Sequence, residues 1–123
     1  MTRATKYVAL DVHQATTAAS VRAETGPVIA RAVLPTEARA PTEFFRGMRG
    51  AVHVAFEEGT QAQWLHDLLL PVVHRVVVCD RHGEKRHGNK GDRVDADQLS
   101  ARLWRGDLRA VYHGNAERAA RRN

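Results

Sequence analysis

The carboxylates that can do chemistry in this chain stand at three places. Asp92 and Asp95 are three residues apart in Asn89-Lys90-Gly91-Asp92-Arg93-Val94-Asp95-Ala96-Asp97-Gln98-Leu99. On a helix that step puts both on one face, and two neighbouring anions favour a cation between them. Asp11 closes the apolar run Tyr7-Val8-Ala9-Leu10, and Glu57 closes Val52-His53-Val54-Ala55-Phe56. A phosphodiester gains negative charge as it is cleaved or transferred. Two Mg²⁺ ions roughly 4 Å apart, held by hard oxygen ligands with waters still attached, offset that charge. An Asp on a central strand, a Glu at a neighbouring strand end and two Asp on a crossing helix meet at one sheet edge. Asp11, Glu57, Asp92 and Asp95 are therefore the expected catalytic and metal-binding residues. Glu58 rivals Glu57, while helical geometry turns Asp97 away from Asp95. Each acid alone also has a structural reading: Asp11 can simply end a strand, Glu57 can be solvated, and Asp92 after Gly91 can cap a helix.

The elements that must position these acids follow from the hydrophobic pattern. Lys6 to His13 reads as a first strand carrying Asp11 near its end, and Thr16 to Glu24 as its hairpin partner. After the Gly26-Pro27 turn, Val28 to Leu34 gives a third strand with Val28, Ala30, Ala32 and Leu34 on one face. Pro41 suits the first turn of a helix striped by Phe44, Phe45 and Met48. Val52 to Phe56 is a fourth strand. A helix with Leu65, Leu68, Leu69 and Val72 follows, ended or kinked by Pro71, and His74 to Asp80 is a fifth strand. Helix resumes near Asp92, with Ala96, Leu99 and Leu103 inward. The order is three strands, helix, strand, helix, strand, helix: an α/β domain with a five-stranded mixed sheet flanked by helices, in the manner of the ribonuclease H-like fold. Residues 1–105 form this domain, and residues 106–123 read as the start of a linker or a truncated helical segment.

Composition bounds the rest. The chain has 123 residues, about one domain, and 43% apolar with 27% charged residues excludes a disordered class. Its net charge of +5 suits a polyanionic partner. One cysteine, Cys79, allows no internal disulfide, and no long apolar stretch follows Arg3 and Lys6, so a cytoplasmic protein without a membrane partner is expected.

Four segments carry a family resemblance: Tyr7-Val8-Ala9-Leu10-Asp11-Val12-His13, Phe56-Glu57-Glu58-Gly59-Thr60-Gln61-Ala62-Gln63-Trp64-Leu65, Val76-Val77-Val78-Cys79-Asp80 and Asn89-Lys90-Gly91-Asp92-Arg93-Val94-Asp95-Ala96. Together they resemble the N-terminal, RuvC-like part of the DEDD transposases of bacterial insertion sequences, the insertion sequence 110 group, over about residues 6–114 in that order. The resemblance implies DNA transposition and recombination, DNA binding, an acidic tetrad at Asp11, Glu57, Asp92 and Asp95, Mg²⁺ (or Mn²⁺) as cofactor, and contact with a guide RNA. Val111-Tyr112-His113-Gly114 resembles the segment after the last aspartate. Gly91 departs from the family's usual Ser or Thr. Members continue through a helical linker into a second domain bearing a catalytic serine; Asn123 ends this chain before either, so strand exchange by it alone is not expected, and self-association or a C-terminal domain supplied separately is. The alternative is an inactive fragment that binds nucleic acid or a subunit.

The basic stretch with Arg81, Lys85, Arg86, Lys90 and Arg93 is the expected nucleic-acid contact, since each neutralised phosphate adds salt-dependent affinity. Cys79, His82 and His87 lack the four-ligand spacing of a zinc site. Trp64 and Trp104 read as core residues, and Ser20 and Ser100 as structural. A phosphate-binding ATPase hairpin wants glycine beside the first aspartate, and Asp11-Val12-His13-Gln14 has none.

Overall fold

The computed structural model describes residues 4–80 and 95–114. Its strands are β1 (Lys6–Val12), β2 (Thr16–Arg22), β3 (Val28–Pro35), β4 (Val52–Glu57), β5 (Arg75–Cys79) and β6 (Ala110–Gly114). Its helices are α1 (Arg39–Arg46), α2 (Ala62–Leu69) and α3 (Ala96–Arg105). All six strands join one sheet in the order β3-β2-β1-β4-β5-β6. Strands β1, β4 and β5 are mutually parallel at the centre, and β2, β3 and β6 pair antiparallel outside them. The chain is thus α/β with a mixed, open sheet, one strand wider than the pattern suggests. That sixth strand carries the sheet past residue 105, across the boundary placed there from sequence. The rest of the expected linker, 115–123, lies outside the described residues.

Period-two alternation gives the sheet two unlike faces. Val8 and Leu10 of β1, Val54 and Phe56 of β4, and Val76 and Val78 of β5 turn their bulk toward Phe45 of α1 and Leu65 and Leu69 of α2. The residues between them are mostly small. Ala9 and Cys79 lie under Leu99 of α3, and Ala55 and Val77 lie under its Leu103. Two helices cover the large-residue face, while small side chains let α3 lie close on the other.

Turn chemistry sets the boundaries. Leu70 caps α2 before Pro71, as expected. Gly106 ends α3 in the left-handed region at φ 81°, donating to the Arg102 and Leu103 carbonyls. Gly26, at φ 117°, makes the turn between β2 and β3, where a Cβ would sit 3.0 Å from a ring carbon of Trp104. A register shift after Val21 sets Val28 opposite Arg22, so Val28 leaves the face it was expected to share with Ala30 and Ala32. The tryptophans are not core residues: Trp64 and Trp104 are 37% and 39% exposed. Among the described residues no helix is long and apolar enough to cross a membrane.

Candidate functional site

Strand register brings two of the expected acids side by side. Leu10 pairs with Phe56 across β1 and β4, and Glu57 pairs with Cys79 across β4 and β5. One step beyond Leu10, Asp11 therefore continues a row Asp11, Glu57, Cys79 across the carboxyl ends of the three parallel strands. Neighbouring strands lie about 4.8 Å apart, so the two carboxylates are near neighbours on the face that α3 covers. They line one cavity of about 310 Å³ together with His13, Glu58, Thr60 and Leu99. Ligand sites of open α/β sheets fall at the carboxyl ends of their strands.

The third acid arrives on α3. Leu103 lies over Ala55 and Val77, and Leu99 lies over Ala9 and Cys79 nearer the strand ends, so the N-terminus of α3 runs toward the acidic row. Asp95 is the N-cap: its backbone is extended (φ −78°, ψ 176°) and its Oδ1 accepts from the Gln98 amide at 2.9 Å. This corrects the expected helix start. The helix starts at Ala96 rather than near Asp92, and the cap falls on Asp95 because a short carboxylate satisfies the otherwise orphaned Gln98 amide. Asp95 itself is thus extended and precedes the helix. Asp95 borders a second recess with Asp11, Ala18, Val33 and Arg31, so Asp11 belongs to both hollows and links the other two acids. Asp92 itself, and Arg81, Lys85, Arg86, Lys90 and Arg93, lie outside the described residues. Among the described residues no three His, Cys, Asp or Glu side chains converge closely enough to hold an ion.

Local electrostatics favours oxygen ligands here. Cys79 is the soft donor of the row, but burial, then the charge of Glu57, push its thiol up to about 12 against an opposing pull from Arg102. It stays protonated and donates to the Phe56 carbonyl at 3.6 Å. The donors left at the row are carboxylates, the ligand type that suits Mg²⁺ or Mn²⁺ rather than zinc. His13 Nε2 reaches Asp11 Oδ2 at 3.2 Å, a contact the sequence reading missed although the two residues are next-nearest neighbours. Asp80, directly after β5, also stands at this edge, with Arg109 Nε 3.8 Å from its carboxylate.

A buried polar group fixes α3 at its middle. Ser100 Oγ donates to the Asp97 carbonyl at 3.0 Å, lies 3.0 Å from Ser20 Oγ, and accepts from Arg22 Nε at 2.8 Å. Both hydroxyls are fully buried. Arg22 donates further to the Gly26 and Asp97 carbonyls, and Arg31 grips the Asp97 carboxylate through Nε and Nη2 at 2.8–3.0 Å. Arg31, then the Ser20 hydroxyl, hold the Asp97 carboxyl below its usual range. Ser20 and Ser100 are structural, as the sequence suggests, and what they position is the helix that carries Asp95.

No protein-family model matches the chain, and no curated protein matches it either.

Proposed function

We propose that this chain is the ribonuclease H-like, N-terminal part of a DNA transposase, in which Asp11 and Glu57 form the base of a Mg²⁺ or Mn²⁺ site against a scissile phosphate, and Asp95 and Asp92 close on it only when the ion binds. The observation that carries the reading is the register of β1 on β4, which sets Asp11 beside Glu57 at the carboxyl ends of parallel strands, where α3 also directs its N-terminus. When bound, the cations supply charge stabilisation at the phosphoryl oxygens and an acidified water. The chain's own residues do the rest. Asp11 and Glu57 present the oxygen ligands, Cys79 remains a neutral wall, and the Ser20–Ser100–Arg22 contacts hold α3 so that Asp95 stands over the recess it shares with Asp11. The excess of basic residues suits a DNA partner.

A second reading rests on the spread of the acids: Asp11 opens onto two separate recesses and Asp95 caps a helix, an arrangement that also suits a non-catalytic module binding nucleic acid or a subunit. Nicking of supercoiled plasmid in Mn²⁺ separates the two. Metal-dependent nicking that disappears in Asp11→Asn and Glu57→Gln supports the first. Salt-sensitive DNA binding with no nicking, alone or with a serine-bearing second domain supplied in trans, selects the second.

A further inference from the structure

Four residues upstream of the acidic row, the same three strands build a row of opposite character. Tyr7 pairs with His53 across β1 and β4, and His53 pairs with Arg75 across β4 and β5. Four residues of strand span about 13 Å, so this row stands at the other end of the sheet, again on the α3 face. The C-terminal end of α3 brings Trp104 to it. Tyr7, His53, Arg75 and Trp104 border a cavity of about 290 Å³ floored by Val77 and Leu103, and among its described lining residues there is no carboxylate.

The rings here are set in place. Tyr7 and His53 meet edge to face, with centroids 5.3 Å apart and planes at 82°. Trp104 is anchored by its indole N–H, which donates to the Glu24 carbonyl at 2.8 Å, and by Gly26, which abuts its six-membered ring. Yet 39% of Trp104 remains exposed, unusual for so large an apolar ring with a fixed position. Burial first, then the charges of Arg75 and His74, hold His53 below the usual imidazole range. Planar π-surfaces on an apolar floor suit a flat heterocycle, and an exposed guanidinium at the rim suits a phosphate.

We propose that this cavity is a nucleotide site, taking a base against Tyr7, His53 and Trp104 and its phosphate at Arg75. The nucleotide can be a free mononucleotide or one unit of a single strand, since both present the same base and phosphate. The site is independent of the acidic row and needs no metal.

The test uses the full chain in EDTA, with Trp64→Phe so that Trp104 reports alone, titrated with adenosine 5′-monophosphate, adenosine, inorganic phosphate and a short single-stranded oligodeoxyadenylate. Saturable quenching by the mononucleotide is expected, weaker with adenosine, and about five- to tenfold weaker in Arg75→Ala, an exposed position whose loss spares the core. Shifts of the Trp104 indole resonance in the unsubstituted chain give the same reading without the Trp64 change. Tighter binding of the oligonucleotide identifies a strand as the source, and equal binding a free nucleotide; either supports the site. No saturable response to mononucleotide or oligonucleotide, an unchanged affinity in Arg75→Ala, or inorganic phosphate competing as well as the nucleotide overturns it.

Discussion

Replacing Ser100 with alanine should destabilise the fold far more than the loss of one hydroxyl from a helix ordinarily does. Ser100 Oγ is the shared partner of Ser20, of the Asp97 carbonyl and of the Arg22 guanidinium, all at 2.8–3.0 Å, and both serine hydroxyls are fully buried. Each neutral bond contributes about 1 kcal/mol net, and the bond from the charged donor about 2 kcal/mol. Alanine returns up to about 0.5 kcal/mol as the better helix former, and Arg22, only half-buried, recovers part of its loss from water. The expected cost is about 2–3 kcal/mol, a large share of the 5–15 kcal/mol typical of a domain this size. Urea unfolding followed by far-UV circular dichroism reads it as a lower midpoint at constant slope. Ser20→Ala should cost nearer 1 kcal/mol, because the guanidinium keeps its acceptor. A Ser100→Ala loss under about 0.5 kcal/mol would refute the claim that this cluster, rather than the apolar contacts of Leu99 and Leu103 alone, fixes α3.

Three further outcomes follow from the same geometry. Gly26→Ala should cost at least about 1 kcal/mol and alter Trp104 emission, because the residue is at φ 117° and its new methyl would press on the indole; unchanged stability and emission would count against that packing. The Asp97 carboxyl is held below its ordinary range chiefly by Arg31, so its contribution is present above the unfolded carboxylate pKa and is lost as pH falls through the lower folded value. The stability gap between wild type and Asp97→Asn should accordingly close in the acid range, and a gap independent of pH would exclude the pairing as its source. Cys79, with its thiol pushed up to about 12, should resist alkylation at pH 8 until the chain is unfolded by urea; rapid labelling of the native protein would contradict its burial.

Much of the architecture was legible because the sequence repeats its instructions. Val8-Ala9-Leu10 and Val54-Ala55-Phe56 are short apolar runs bounded by polar residues, and each became a central strand. Pro71 and Gly106 stop their helices where backbone chemistry says they must. The same runs also encode which face takes α3, since Ala9 and Ala55 leave room for a close helix between bulky neighbours, a signal that periodicity alone does not weigh. Strand β6 was less legible: Ala110–Gly114 is short and finds its register only against β5. At the site, Asp11 and Glu57 were readable as strand ends, but their adjacency depends on which strands pair and in what register, a tertiary fact. Asp95 reads from its spacing as a helical position, and what makes it the cap of α3, its extended backbone and the bond from the Gln98 amide, is local geometry that the hydrophobic pattern does not carry. The Tyr7–His53–Arg75 row was invisible for the same reason as the acidic one, being written across three separate segments.

Calorimetric titration of Mn²⁺ into the full chain tests the central claim most directly, with Asp11→Asn and Glu57→Gln beside the wild type. Saturable binding by the wild type, weakened at least about tenfold in each variant while the fold is kept, is what two carboxylates on adjacent strands predict. Equal, weak binding by all three proteins would contradict it.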